Sequence, residues 1–229
     1  MKRDVLNTQG IVLARTNFGE ADRIITVLTP DHGKLRLMAK GTRRVKSKLA
    51  GGIELFSVSE ISFIAGKGDI GTLVSSRLIT HYGKIVTDIN RTMLGYELLK
   101  RLNKATEDST DEEYFNLLKS ALDALNGELN ATLLELWFDA QLLKMSGHQP
   151  NLNTDITGTK LAPDQHYNLD IEAMTFTMAE PGAYQATHIK LLRLVFGLDD
   201  ATQLNQLQDF DKVLPVVFRL VTSMYNQFT

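Results

Sequence analysis

The chain lacks cysteine and has few aromatic residues. Its 229 residues include no Cys, one Trp and an aromatic share of 7%. Without thiols there can be no disulfide bond, no cysteine nucleophile and no cysteine-ligated zinc, and the composition fits a reducing compartment. Hydrophobic residues still make up 43% of the chain, which is the share expected of a protein with a folded core.

Long hydrophobic runs are absent as well. No stretch approaches the roughly 20 apolar residues that a membrane-spanning helix needs. The first ten residues, MKRDVLNTQG, begin with charge but have no apolar segment behind it, so we expect no signal peptide. These features lead us to expect a cytoplasmic protein.

The motifs of common catalytic sites are missing too. Gly51-Gly52 and Gly66-x-Gly68 lack the context of a phosphate-binding loop, and the five histidines are scattered. Glu20 and Asp22 precede Arg23, which favours a turn or a salt bridge with Arg23 over a pair of acid–base carboxylates. We expect no enzymatic activity, no cofactor and no metal.

The first 80 residues have the pattern of short β-strands. A β-branched run at 23–29 ends in the turn sequence Thr29-Pro30-Asp31-His32-Gly33, which predicts a hairpin. Other strands fit the residues around Val12, and the ranges 34–40, 55–64 and 70–80. Five short strands with a longer connection between the third and the fourth predict a small barrel.

After Gly83 the apolar residues recur at helical spacing. The predicted helices cover 85–102, a stretch after a capping box at 110–113, 132–146, 187–196 and about 209–228, where Pro215 either kinks or starts the last helix. Between them, 147–182 is polar and turn-rich, with possible short strands at 167–170 and 174–178. We expect an α+β protein with a barrel domain at 1–82 and a helical domain at 83–229 that carries this segment as a loop-and-hairpin insertion.

Charge is divided unevenly between these parts. Residues 1–82 carry 13 Lys and Arg against 7 Asp and Glu, whereas residues 83–229 carry 12 against 20. Such asymmetry is typical of two modules with different partners. Much of the positive charge lies in one run without an acidic residue, which contains Lys34, Arg36, Lys40, Arg43, Arg44, Lys46 and Lys48.

Strand periodicity divides this basic run into two parts. Lys34, Arg36 and Lys40 fall on one face of the third strand and Leu35 and Leu37 on the other, so the cations are expected to point outward. The remaining cations, from position 43 to 48, continue on a loop. A basic face beside a basic loop can follow a phosphate backbone without reading its sequence.

Exposed aromatic rings would add base stacking, as in other small barrels that bind single strands. Phe18 and Phe56 are the candidates, with Phe63 as a third. The alternative interpretation of the whole run is a solvated surface with no ligand. Base-specific recognition is not expected, because the run offers no Asn or Gln placed to read an adenine edge.

Five motifs in the first 60 residues resemble the RecO family of DNA repair proteins. They are Gly10-Ile11-Val12-Leu13, Gly19-Glu20-Ala21-Asp22-Arg23-Ile24, Thr29-Pro30-x-x-Gly33-Lys34, Ala39-Lys40-Gly41-x-Arg43-Arg44 and Gly52-x-Glu54-Leu55-Phe56. The resemblance implies an OB-fold followed by a helical domain. It also implies a nucleoid-associated recombination mediator that binds single- and double-stranded DNA and anneals complementary strands. RecR, the C-terminal tail of single-strand-binding protein and, indirectly, RecA are the implied partners.

The chain departs from this family in one respect. Many members carry a four-cysteine zinc site after the third helix, whereas residues 151–182 contain no cysteine. His148, His166 and the nearby aspartates have no zinc-ligand spacing. We therefore expect a zinc-free branch, in which a small apolar set holds the segment together: Leu161, Leu169, Ile171 and Phe176.

Two other functions remain open from the sequence. The same basic barrel would suit an RNA-binding protein, because nothing in the run distinguishes DNA from RNA. Alternatively, the acidic helical domain is the functional part and acts as a protein adaptor. Its helix around Trp137 is apolar on almost every side, which indicates a core helix or, less simply, an exposed groove.

Overall fold

The computed structural model describes residues 4–106 and 112–228. The chain divides into two compact units, Met1–Gly127 and Glu128–Thr229. The elements of the first are β1 (Leu6–Phe18), β2 (Asp22–Thr29), β3 (Gly33–Ala39), β4 (Ser57–Ile64), β5 (Ile70–His81), α1 (Ile89–Ala105) and α2 (Glu112–Asn126). The elements of the second are α3 (Ala131–Met145), β6 (Tyr167–Asp170), β7 (Thr175–Met178), α4 (Ala186–Gly197) and α5 (Leu214–Phe228).

The five strands of the first unit form a closed barrel in the order β1-β2-β3-β5-β4. Neighbouring strands are antiparallel except for β3 and β5, which pair in parallel from Arg36↔Ile70 to Met38↔Thr72. β4 pairs with both β5 and β1 and so completes the ring. This is the predicted small barrel, and its strand order is that of an OB-fold.

Alternation along the strands fills the barrel. Ile25 and Val27 of β2 and Leu37 and Ala39 of β3 are buried, while the residues between them are more accessible. Gly10 leaves the space that Val27 occupies, since a Cβ atom there would lie 2.4 Å from a Val27 methyl carbon. The pattern of apolar residues at every second position therefore places one face of each strand in the core.

Helix α1 packs against the barrel through Phe56. This ring is 1% exposed, and its centre lies 5.2 Å from that of Tyr96 in an edge-to-face arrangement. Phe56 has φ of 55°, a left-handed conformation that costs a non-glycine residue roughly 1–2 kcal/mol. Gly95 makes room for the ring, because a Cβ atom there would lie 2.7 Å from Phe56 Cε1.

Helices α1 and α2 are held to each other and to the end of β5 by polar contacts. Arg91 donates to the carbonyl of Gly127, and the Lys84 N–H donates to the Asn126 side chain at 3.0 Å. Burial raises the pKa of the Tyr82 phenol, and the nearby carboxylate of Asp123 raises it further. Thr110 and Asp111 of the predicted capping box lie outside the described residues. The predicted domain boundary at 82/83 marks the change from strands to helices and stays a prediction.

The second unit is built around α3. Trp137 and Phe138 are completely buried, so the interpretation of this apolar helix as core is confirmed. The indole N–H of Trp137 donates to the Leu198 carbonyl at 2.7 Å, and Gln141 Nε2 donates to the Val195 carbonyl at 2.6 Å. Helix α5 begins at Leu214, so Pro215 lies in the first turn, where its missing N–H costs least.

The inserted segment contains the predicted hairpin, formed by β6 and β7. Its core differs from the predicted set, since Leu161, Leu169 and Ile171 are only half-buried. Aromatic packing holds it instead: the completely buried Phe176 ring lies edge-to-face against Tyr167 and Tyr184, with centres 6.2 and 6.1 Å away. No helix in the described part of the chain is long and apolar enough to cross a membrane.

A hydrogen-bonded turn around Asp155 closes the loop before this hairpin. One carboxylate oxygen accepts from the Thr157 hydroxyl at 2.7 Å and from the N–H groups of Thr157 and Thr159 at 2.9 and 3.0 Å. The Thr157 hydroxyl, followed by the two N–H groups, lowers the pKa of the Asp155 carboxyl. Within residues 4–106 and 112–228, no three His, Cys, Asp or Glu side chains converge to hold a metal ion.

We predict that Gly95→Ala destabilises the protein despite the better helix propensity of alanine. The new methyl group must displace the Phe56 ring, and overpacking of this kind costs about 1–3 kcal/mol in the free energy of unfolding. Gly197→Ala is the control, because no atom outside the adjacent helix backbone lies within 4 Å of a Cβ atom at that position of α4. Urea unfolding should show a loss for the first variant only, and equal midpoints would contradict the packing.

The stability of the Asp155 turn should depend on pH. Because the pKa of this carboxyl is lower in the folded chain, the turn is stabilised above the unfolded value of about 3.9 and loses that stabilisation as pH falls through the folded pKa. Amide exchange at Thr157 and Thr159 should accelerate at low pH, and Asp155→Ala should produce the same effect at pH 7. Asp164→Ala, which removes an exposed carboxylate of the same segment, should leave both amides protected.

Candidate nucleic-acid interface

The outer face of β3 carries part of the basic run. Arg36 is exposed and lies between Thr26 of β2 and Ile70 of β5 in the strand register. Lys40 is exposed immediately after the strand, whereas Leu37 is 1% exposed and contributes to the barrel core. The predicted division of β3 into a basic outer face and an apolar inner face is therefore present at these positions.

Lys34 is used differently. Its ammonium group is half-buried and donates a hydrogen bond to the backbone carbonyl of Asn103 at 2.7 Å. That carbonyl lies near the C-terminal end of α1, where the helix dipole favours a positive charge. Lys34 thus ties β3 to α1, and to contact a phosphate it would first have to leave this carbonyl.

The loop after β3 is fixed at its start by the turn between β1 and β2. The Gly41 N–H donates to the Asp22 carboxylate at 2.7 Å, and the Arg43 N–H donates to the Ala21 carbonyl at 2.9 Å. Asp22 therefore binds loop backbone, while the side chain of its predicted partner Arg23 donates to Asn17 at 3.2 Å. These contacts hold the loop against the β1–β2 turn.

The loop continues as a series of hydrogen-bonded turns. The Arg44 N–H donates to the Gly41 carbonyl at 3.1 Å, and the Ser47 N–H donates to the Arg44 carbonyl at 3.0 Å. Gly41 has φ of 65°, a conformation that glycine adopts without a steric penalty. The basic loop predicted from the sequence is therefore ordered by its own backbone.

The cations of this loop project from it. Arg43 donates to the Gly19 carbonyl at 3.2 Å, and Val45 between the cations is fully exposed. We define the basic surface as the six exposed cations Arg36, Lys40, Arg43, Arg44, Lys46 and Lys48. Apart from Arg43, none of their side chains forms a hydrogen bond or an ion pair with the described residues. The six charges therefore remain available to an anionic partner.

Only one of the predicted stacking residues is available to a ligand. Phe18 is 52% exposed at the end of β1, opposite Asp22, the residue that fixes the loop. The prediction for Phe56 is wrong, because its ring is buried against α1. Phe63 is also buried, with its ring centre 5.4 Å from that of His32. Phe18, whose ring is exposed beside the loop, is therefore the remaining candidate for base stacking.

Sequence reasoning missed the residues that shape the loop. The sequence favours a turn or a salt bridge with Arg23 for Glu20 and Asp22, and it gives no sign of the buried Thr42, whose hydroxyl donates to the Ala39 carbonyl at 3.2 Å. Gly41, two residues after the end of β3, is the available signal, since a glycine there marks a change of backbone direction. The acceptor for its N–H lies 19 residues earlier, which no local pattern specifies.

Comparison with known proteins identifies two matching families. The family described as "Recombination protein O N terminal" matches residues 1–82, and the family described as "Recombination protein O C terminal" matches residues 87–223. The first match covers the barrel and the whole basic surface. Together the matches extend over both units of the structure.

Curated relatives carry the same family name. "DNA repair protein RecO" of Dehalococcoides mccartyi strain 195 is 36% identical over 146 residues, which is 63% of this chain and 57% of the relative. The protein of that name from Halalkalibacterium halodurans is 29% identical over 199 residues, or 83% of this chain and 77% of the relative. The chain thus matches little more than half the length of the Dehalococcoides relative.

Both family matches agree with the structure. The strands between Leu6 and His81 form the closed OB-type barrel within the first match, and the five α-helices of the described residues begin within the second. The chain therefore belongs to the RecO family of DNA repair proteins.

Proposed function

We propose that this chain acts in DNA repair and recombination as a mediator that binds single- and double-stranded DNA through the basic surface. The observation that carries the proposal is the set of six exposed cations on β3 and its loop, five of them without a partner among the described residues. Arginine can hold a phosphate through two hydrogen bonds, and lysine acts as a mobile point charge. The proposed activity needs no bond to be made or broken in the DNA.

The order of the loop supports binding. Because the contacts with Asp22 and Ala21 already hold the loop backbone, less conformational entropy is lost when its cations meet phosphates. Neutralised phosphates repel a complementary strand less strongly, since like charges destabilise close approach. A surface without sequence preference would therefore favour annealing of any complementary pair.

The family membership also supports partners for this activity. We propose that the chain acts with RecR and with the C-terminal tail of single-strand-binding protein, and that through them it helps to load RecA. Binding of the full chain to purified RecR and to a peptide of that tail tests these partners directly. Absence of binding to both at low salt would contradict this part of the proposal.

RNA binding is the second candidate function, because the basic surface has no group that distinguishes a ribose from a deoxyribose. Competition between DNA and RNA strands of the same sequence separates the two. Preferential binding of RNA would contradict the proposal, and preferential binding of DNA would support it.

DNA affinity should fall steeply with salt. If the six cations each contact a phosphate, the logarithm of single-strand affinity should decrease with the logarithm of salt concentration at a slope of about −4. Fluorescence anisotropy with a labelled oligonucleotide measures this slope. A salt-independent affinity would contradict the interface.

The double variant Arg43→Glu/Arg44→Glu should reduce the magnitude of that slope by about 1.4, because two phosphate contacts are lost. Binding should weaken equally for strands of different sequence. Lys84→Glu/Lys100→Glu is the matched control: both residues are exposed, lie outside the basic surface, and change the net charge by the same amount. Equal loss in the two double variants would show a general charge effect.

Phe18→Ala should weaken binding to single strands by about 1–3 kcal/mol if one base stacks on the ring. Binding to duplex DNA should change little, because its bases are already stacked on each other. Phe18→Tyr keeps the aromatic face and should retain affinity. If Phe18→Ala affects neither kind of DNA, the ring does not contact bases.

A further inference from the structure

The second unit contains a cavity of about 330 Å³ between the start of α3 and the segment that leads into α5. Its apolar walls come from Leu133, Leu207, Phe210 and Leu214. Polar groups complete its lining: Asn130, Gln208, Asp209 and Asp211. We call this cavity the acidic pocket.

The two carboxylates of the acidic pocket are available to a partner. Asp209 and Asp211 are exposed, and neither forms an ion pair with the described residues. Asp209 has φ of 66°, so the backbone turns sharply just before Phe210. The Lys190 ammonium lies 5.8 Å from the centre of the Phe210 ring and forms no ion pair with either carboxylate.

The pocket therefore suits an apolar side chain with cations beside it. The second unit carries 12 Asp and Glu against six Lys and Arg from 128 to 229, so its charge repels nucleic acid. An anionic occupant is disfavoured, because it would lie beside the carboxylates of Asp209 and Asp211. An occupant of the right chemistry combines a small apolar group with flanking positive charges.

This chain exposes such a group at the tip of its own basic loop. Val45 is fully exposed, more so than any other large hydrophobic residue in the described part of the chain, and Arg44 and Lys46 flank it. Neither cation has a hydrogen-bond or ion-pair partner among the described residues. Charge and polarity of the tip are thus complementary to those of the acidic pocket.

We infer that the acidic pocket of one molecule binds the Arg44-Val45-Lys46 tip of a second copy of this chain. The Val45 side chain enters between Leu133 and Phe210, and the cations pair with Asp209 and Asp211. The aliphatic stem of a lysine can cover apolar surface while its ammonium stays in water, so the tip fills more of the cavity than valine alone. A contact of this size is weak and transient, below the area of a stable interface.

The inference deepens the proposed function and rests on it in one respect. The cations that enter the pocket belong to the basic surface, so DNA and a second copy compete for Arg44 and Lys46. Molecules without DNA associate through these contacts, and binding of a strand releases them. Self-association then limits the number of basic surfaces that are open in the absence of DNA.

Sedimentation velocity of the full chain tests the contact. Between about 10 µM and about 1 mM protein, the sedimentation coefficient should rise at low salt and the rise should disappear at high salt. Lys46→Glu and Asp211→Lys should each lower the association constant about five- to tenfold, because each places like charges opposite one another. Lys160→Glu, an exposed change in the second unit at a residue that does not line the pocket, should not lower it.

A mixture of the two variants gives the most specific result. The unchanged tip of the Asp211→Lys variant meets the unchanged pocket of the Lys46→Glu variant, so the mixture should associate more strongly than either variant alone. Circular dichroism and thermal unfolding check that both variants are folded. Absence of association in the native chain, or no recovery in the mixture, would overturn the inference.

Adding a short single strand of thymidines tests the competition. It should return the native chain to the sedimentation coefficient of the monomer at about one strand per molecule. If the chain binds no DNA at low salt, the proposed function fails while the variant mixture still reports on the contact. If DNA binds but leaves self-association unchanged, the tip is not the shared element and the inference fails.

Discussion

The parallel pairing of β3 with β5 closes the barrel and determines how the charges of the first unit are placed. With β2 on one side and β5 on the other, β3 has no free edge. Its side chains must therefore alternate between the core and the outer face. Arg36 lies on that outer face because Leu37, its neighbour, fills the barrel. The loop that follows leaves the strand at the β1–β2 turn, where Asp22 holds the Gly41 N–H.

Backbone contacts and side-chain charge have separate tasks in this region. Turn hydrogen bonds and the carboxylate of Asp22 order the loop, whereas five of the six cations of the basic surface contribute no hydrogen bond to the fold. Lys34 differs from these five cations, since its ammonium group donates to a carbonyl near the end of α1 and so stabilises the fold. Charges that the fold does not use are the ones from which we propose DNA binding.

Local patterns were sufficient for much of the architecture. The β-branched run before Pro30 predicted the β2–β3 hairpin, and the apolar helix around Trp137 predicted the core of the second unit. Phe56 could not be placed from its neighbours, because its burial depends on the space left by Gly95, far away in sequence. The structural contact of Lys34 could not be predicted for the same reason, because the carbonyl that it binds is 69 residues away in the sequence. The order of the loop likewise depends on contacts that are remote in the chain.

The central claim is that the basic surface holds the DNA backbone. A titration of isotope-labelled protein with a single strand, followed by amide chemical shifts, tests it residue by residue. We expect shift changes to concentrate at Arg36 and across residues 40–48, and to fade as salt is raised. Changes concentrated in residues 128–228, with the loop unaffected, would contradict it.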